Sequence, residues 1–157
     1  MTTATIKTTA IRRIIKHATQ IAAGENETVK PGQPARFTEA CTPQDCIWQG
    51  DLGLEIVTGV PKSFVLVKTP TDIDRQLVPG NTQGAKHCLD SLSGVTIYKP
   101  IDWNNESLEG PCLLFSAERT VTHPTHGSVT IPKGFAVQCH YQREWDKELQ
   151  KERRARD

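Results

Sequence analysis

Two histidines three residues apart, His123 and His126 in the segment HPTHG, are the residues best placed by type and spacing to do chemistry. Imidazoles at that spacing on a loop could chelate a divalent cation, provided a third ligand and preferably a fourth arrived from elsewhere. His87, Cys88 and His140 are the candidate suppliers, and His87 is the one we join to His123 and His126 as a metal set. No CxxC, HExxH or HxH spacing reinforces such a site, and Cys41 and Cys46 lie four residues apart in what reads as a loop. The competing reading is histidines that cap turns or face water, with no cofactor.

Other chemistry finds less support. The loop VPGNTQGAKHCLD, residues 78–90, has two glycines approaching His87, but no GK[ST] follows it and no βαβ unit flanks it. It reads as a structural turn. GxSxG is absent, so no serine has a nucleophile's neighbourhood. Cys88 lies beside His87 and Cys139 beside His140, yet adjacent residues on a strand point to opposite faces, which separates thiol from base. Asp72 and Asp74 sit in the polar stretch TPTDIDRQ and read as a solvated loop. No complete catalytic set is visible, and we assign no catalytic residue.

The elements that must position these residues are mostly strands. The chain has 157 residues, 36% hydrophobic and 24% charged, which suits one domain with a real core. From about Cys46 onward, short apolar runs alternate with turn signals roughly every ten residues, as in a sandwich or barrel. The expected strands are 47–57, 63–68, 94–99, 112–122, 127–131 and 135–142. GSVTIPKGFAVQCHYQ reads as a hairpin, with Pro132 presetting the turn and Gly134 free to take positive φ. Its alternation puts Phe135, Val137, Cys139 and Tyr141 on the core face and Ala136, Gln138, His140 and Gln142 on the other.

The fold class is therefore mainly β, a small β-sandwich or barrel at 45–142 carrying an N-terminal arm at 1–44 and a charged tail at 143–157. Within the arm, Ile11, Ile14, Ile15, Ala18, Ile21 and Ala22 recur at helical spacing, predicting a helix over 9–23, and the Pro/Gly-rich stretch after it reads as an extended linker. In the tail, strong helix formers with Trp145 and Leu149 four apart predict a short helix that docks one edge.

Charge divides the chain the same way. Residues 1–36 carry a net +4, 37–142 a net −4 and 143–157 a net +1, which together give the overall +1. A basic arm on an acidic body suits protein docking, on its own body or a neighbour's. The expected partner-binding residues are Arg12, Arg13 and Lys16 on the arm and Trp145, Arg153 and Arg154 on the tail. A nucleic-acid-binding domain is usually basic throughout, so the acidic body disfavours that partner.

Five cysteines, an odd number without a secretory signal, favour reduced thiols over a disulfide framework. No apolar run approaches the roughly 18 residues that span a bilayer. These features predict no membrane association and a place in the cytoplasm, or in a virion assembled there.

Three pieces of the sequence, WQGDLGLEIV at 48–57, PGNTQGAKHC at 79–88 and HPTHGSVTIPKGFAVQCHYQREW at 123–145, carry a resemblance. They are similar to an uncharacterised family of short bacterial and phage β-domain proteins with a QGD, GHxH-like, HPxHG, PxG and QRE[WY] pattern. Where that pattern has the first histidine of GHxH this chain has Ala85, and Thr125 stands at the acidic position between the later histidines. The resemblance implies a shared fold and mobile-element ancestry, with no known activity. Arm, charge and resemblance together predict a non-enzymatic structural or binding protein, a minor structural or decoration component of a phage particle that docks through its arm. The alternatives are a metal-binding module or metal-dependent hydrolase using His87, His123 and His126, and a small regulator or inhibitor of a host protein or nucleic acid.

Overall fold

The computed structural model describes residues 34–79, 86–148 and 150–154. The expected helix at 9–23, with Arg12, Arg13 and Lys16, lies outside them. The described chain folds into twelve strands and one 3-10 turn. In order they are β1 (Ala35–Arg36), β2 (Cys46–Gln49), β3 (Leu52–Val57), β4 (Phe64–Leu66), the turn at Asp72–Arg75, β5 (Cys88–Leu89), β6 (Val95–Pro100), β7 (Glu109–Phe115), β8 (Arg119–Thr122), β9 (Val129–Ile131), β10 (Ala136–Tyr141), β11 (Arg143–Asp146) and β12 (Lys151–Arg154).

A six-stranded sheet runs β2-β3-β10-β7-β6-β4 and a four-stranded one β1-β9-β8-β5, so the mainly β, two-sheet architecture is observed. The core draws on both. Leu52, Leu54, Ile97, Leu113, Val137 and Cys139 from the large sheet and Leu89, Val121, Val129 and Ile131 from the small one are fully buried. Each buried aliphatic side chain contributes on the order of 1.5–3 kcal/mol, which is what pins the register of every strand that supplies one.

Two expected strands are each two strands. Gly50, at φ 59°, makes a tight turn inside 47–57, so β2 and β3 form a hairpin pairing Gln49 with Leu52. Residues 116–118 break 112–122 and carry the chain from β7 in the large sheet to β8 in the small one. The expected hairpin over 127–142 is not one. β9 pairs with β8 and β1, whereas β10 pairs with β3 and β7, so residues 132–135 cross between sheets. Gly134 does take positive φ, 91°, and its N–H donates to the Phe115 carbonyl at 2.7 Å. The turn chemistry was readable, but a turn does not say which strands pair.

The alternation in β10 does place Val137, Cys139 and Tyr141 in the core. Gln138, on the opposite phase, is also buried, and its amide donates to the carbonyls of Gly110 and Cys139. The register between β10 and β7 shifts here, so β7 carries one extra residue around Pro111. A bulge is where a strand interior tolerates a proline.

Both ends depart from expectation. β1 pairs in parallel with β9, and Phe37 is buried behind it, so the body begins by Ala35 and not at residue 45. The tail over 143–154 is a two-stranded hairpin, not a helix. Its register sets Arg143 opposite Arg154 and Asp146 opposite Lys151, Arg143 reaches diagonally to Glu152 at 3.4 Å, and Gln150 takes positive φ (50°) in the turn. Helix propensity is a weak prior that cross-strand pairing and docking override.

Candidate functional site

The three histidines singled out by spacing come together. β5 pairs with β8 so that Cys88 faces Thr122, which brings His87, just before β5, alongside His123, just after β8. The His87 and His123 ring centroids lie 4.4 Å apart, those of His123 and His126 4.5 Å, and those of His87 and His126 6.3 Å. His87 is wholly buried.

The residues that hold His87 come from the β2–β3 turn. Gln49 Oε1 lies 2.8 Å from His87 Nδ1, and Asp51 Oδ1 lies 2.8 Å from Nε2. The Gln49 amide nitrogen donates to the carbonyls of Val121 (3.1 Å) and Gly127 (2.7 Å), which fixes its oxygen as the atom facing His87. Burial pushes the Asp51 carboxyl up, but the His87 hydrogen bond and charge, helped by Arg154, outweigh it and hold the group below the usual carboxylate range. Both ring nitrogens of His87 thus face acceptors.

His123 is fixed in the opposite sense. Its Nδ1 accepts from the backbone N–H of Thr125 at 3.1 Å and of His126 at 3.2 Å, the geometry of a histidine capping the 123–126 turn. That leaves its proton on Nε2, and the ring packs against that of His87. The arrangement staples the sandwich, because Gln49 in the large sheet is hydrogen-bonded to β8 and to the loop entering β9 in the small one.

A metal ligand must present an imidazole lone pair. Both ring nitrogens of His87 are engaged by Gln49 and Asp51, and the Nδ1 lone pair of His123 is used by two amides. Among the described residues no group of three or more histidine, cysteine or carboxylate side chains is arranged to hold a metal ion. All five cysteines are free, and burial pushes the Cys112 thiol up to about 11 and raises Cys88 and Cys139 as well. His140 lies on the outer face of the large sheet, 2.7 Å from Glu55, away from this cluster.

A second polar group adjoins Asp51. The Tyr141 hydroxyl donates to the Leu77 carbonyl at 2.7 Å and accepts from Trp103 Nε1 at 3.1 Å. The Arg154 guanidinium stands 5.1 Å over the Tyr141 ring and donates to the Pro79 carbonyl at 3.0 Å. Arg154, expected on the tail as a partner-binding residue, is instead buried within its own chain. The side chains of Trp145 and Arg153 lie outside the described residues, as do Arg12, Arg13 and Lys16.

Sequence reasoning missed Gln49 and Asp51. The signal was present: Gln49 shares the strand phase of Ile47 and stands in the QGD piece of the motif, so a polar residue occupied an inward position.

Residues 48–138 match the family described as Domain of unknown function (DUF8820), and since this covers more than half of the chain, the chain belongs to that family. Gln49, Asp51, His87, His123 and His126 all fall inside the match; Tyr141 and Arg154 fall outside it. No curated protein and no solved structure matches the chain. Among the described residues no helix is long and apolar enough to cross a membrane.

Proposed function

We propose that this chain is a non-enzymatic binding protein, working as a minor structural or decoration component of a phage-type particle and docking on other protein surfaces. The observation that carries the binding reading is the contrast between its polar and apolar groups. Both ring nitrogens of His87 and the Nδ1 of His123 are engaged in internal hydrogen bonds, whereas Val65, Leu66 and Ile101, large apolar residues, are left exposed around one edge of the large sheet. Buried charge that staples sheets serves architecture, and clustered exposed apolar surface serves contact. The phage setting and the virion location rest on the sequence resemblance, and self-assembly through the arm rests on its charge against the acidic body.

Size-exclusion chromatography with light scattering tests the arm. The full-length chain is expected to self-associate or to bind a shell protein, and Arg12→Glu/Arg13→Glu/Lys16→Glu to lose that association. A monomer at every concentration, with no shell binding and no response to the triple substitution, would overturn arm docking. Metal analysis tests the rival. Stoichiometric zinc that disappears in His123→Ala/His126→Ala would overturn the non-enzymatic reading of the cluster.

A further inference from the structure

We infer that the free edge of β4 is a strand-docking site for an extended, acidic segment of another protein. The inference deepens the binding reading and rests on it. β4 is the outermost strand of the large sheet, bonded to β6 on one side only. The Val67 N–H donates to the Ile97 carbonyl, so Leu66 and Tyr98 form a non-hydrogen-bonded pair, and Leu66 turns its own N–H and carbonyl away from β6. Those two groups are the free template an added strand would use.

Around that edge lies a groove lined by Val65, Leu66, Pro100, Ile101 and Trp103. Val65 is 54% exposed, Leu66 42% and Ile101 74%, an apolar concentration that water alone does not favour. Lys99, which also lines it, is already engaged, 2.6 Å from Asp74 and 4.3 Å over the Trp103 ring. The occupant therefore needs apolar side chains to cover the groove, not a counter-ion for Lys99.

Charge selects among extended segments. Lys62 and Lys68 flank β4 within two residues of either end, both exposed, and among the described residues neither has an ion-pair partner. Two copies of this edge joined antiparallel would bring four lysines together with no carboxylate between them, which disfavours self-pairing. A partner strand with a short apolar stretch between carboxylates matches both the groove and the lysines.

The test uses the full-length protein, isotope-labelled, titrated to millimolar concentration with Ac-Asp-Val-Ile-Val-Asp-NH2 and followed through backbone amide resonances. The expected result is shifts confined to residues 64–68 and 99–103, including the Leu66 amide. Binding should weaken about threefold or more between low and high salt as the exposed charges are screened, and should be lost with the Lys-Val-Ile-Val-Lys counterpart. Leu66→Pro, which removes an N–H not used inside the fold, and Lys62→Glu/Lys68→Glu are each expected to abolish the shifts with the rest of the spectrum retained. Absence of shifts, equal response to the lysine peptide, or concentration-dependent changes at the same amides without peptide would each overturn the inference. The last outcome would mean self-pairing, and it would leave the broader binding reading intact. Failure of both this titration and the arm test would remove that reading too.

Discussion

His87 Nε2 lies 2.8 Å from Asp51 Oδ1 with both side chains cut off from water, and the Gln49 amide oxygen holds the other ring nitrogen at 2.8 Å.

The same pair sets an acid limb. Because the Asp51 carboxyl is lowered in the folded state, its contribution is complete above the unfolded value of about 4 and is lost as pH falls through the lower folded value. Asp74, held down by Lys99 and Thr71 against the opposing effect of burial, adds to that limb. Asp51→Asn is expected to flatten the dependence of unfolding free energy on pH below 4. Its amide can donate to Nε2, so His87 keeps a hydrogen-bond partner. Asp51→Leu leaves that buried ring nitrogen without one and should cost about 1–3 kcal/mol at neutral pH. Denaturant titrations across pH separate the two.

Gln49 spans the two sheets through three hydrogen bonds. Gln49→Leu leaves the Gly127 carbonyl and His87 Nδ1 without the amide that holds them, at about 1–3 kcal/mol for each buried group left unsatisfied. The expected loss is therefore larger than for an ordinary core polar residue. A midpoint within error of wild type would mean that water replaces the amide.

How much of this was legible follows from which signals are local. His87, His123 and His126 declared themselves by residue type, and strand alternation placed Val137, Cys139 and Tyr141 correctly, because both signals reside in a few neighbouring residues. The pairing of β9 with β8 instead of β10 depends on packing across the sandwich, and nothing in residues 127–142 encodes it. Gln49 and Asp51 act across the sheets through the chain reversal at Gly50, so they were invisible while 47–57 read as one strand. The tail misled because Glu, Lys, Arg and Gln favour helices in isolation, whereas Arg154 gains a buried place over Tyr141 only as part of a hairpin.

Two glycines make a matched comparison. A Cβ at Gly110 would sit 2.6 Å from the Tyr141 hydroxyl and 2.8 Å from Cys139 Cβ, in the core beside the bulge, whereas one at Gly59 meets nothing within 4 Å. Gly110→Ala is expected to destabilise by about 1–3 kcal/mol through overpacking, and Gly59→Ala to be near neutral. Thermal midpoints of the two variants check this directly.

Free thiols report the core by a different route. Cys112 and Cys139 are fully buried, and burial raises both thiols, so neither accessibility nor ionisation favours reaction. Alkylation at neutral pH should spare both until denaturant is added, and labelling of the native protein should fall on the exposed Cys46 and the partly accessible Cys41 and Cys88. Rapid labelling of Cys139 in the native protein would contradict the packing of β10 against the small sheet.

Arg154 decides whether the tail hairpin belongs to the body. Its guanidinium stacks over Tyr141 and donates to Pro79, while its Nε and Nη1 are buried without hydrogen-bond partners, so it is held by one hydrogen bond, the ring and the field of Asp51. Such a contact is worth about 0.5–2 kcal/mol, enough to hold four residues of strand but too little to govern the sandwich. Arg154→Ala is therefore expected to speed hydrogen exchange across 143–154 several-fold while leaving the exchange of Leu54, Leu113 and Val137 unchanged. Arg154→Lys keeps the charge but loses the planar stack, and it should fall between the two. Equal acceleration in hairpin and core would mean that the tail folds as part of the global unit.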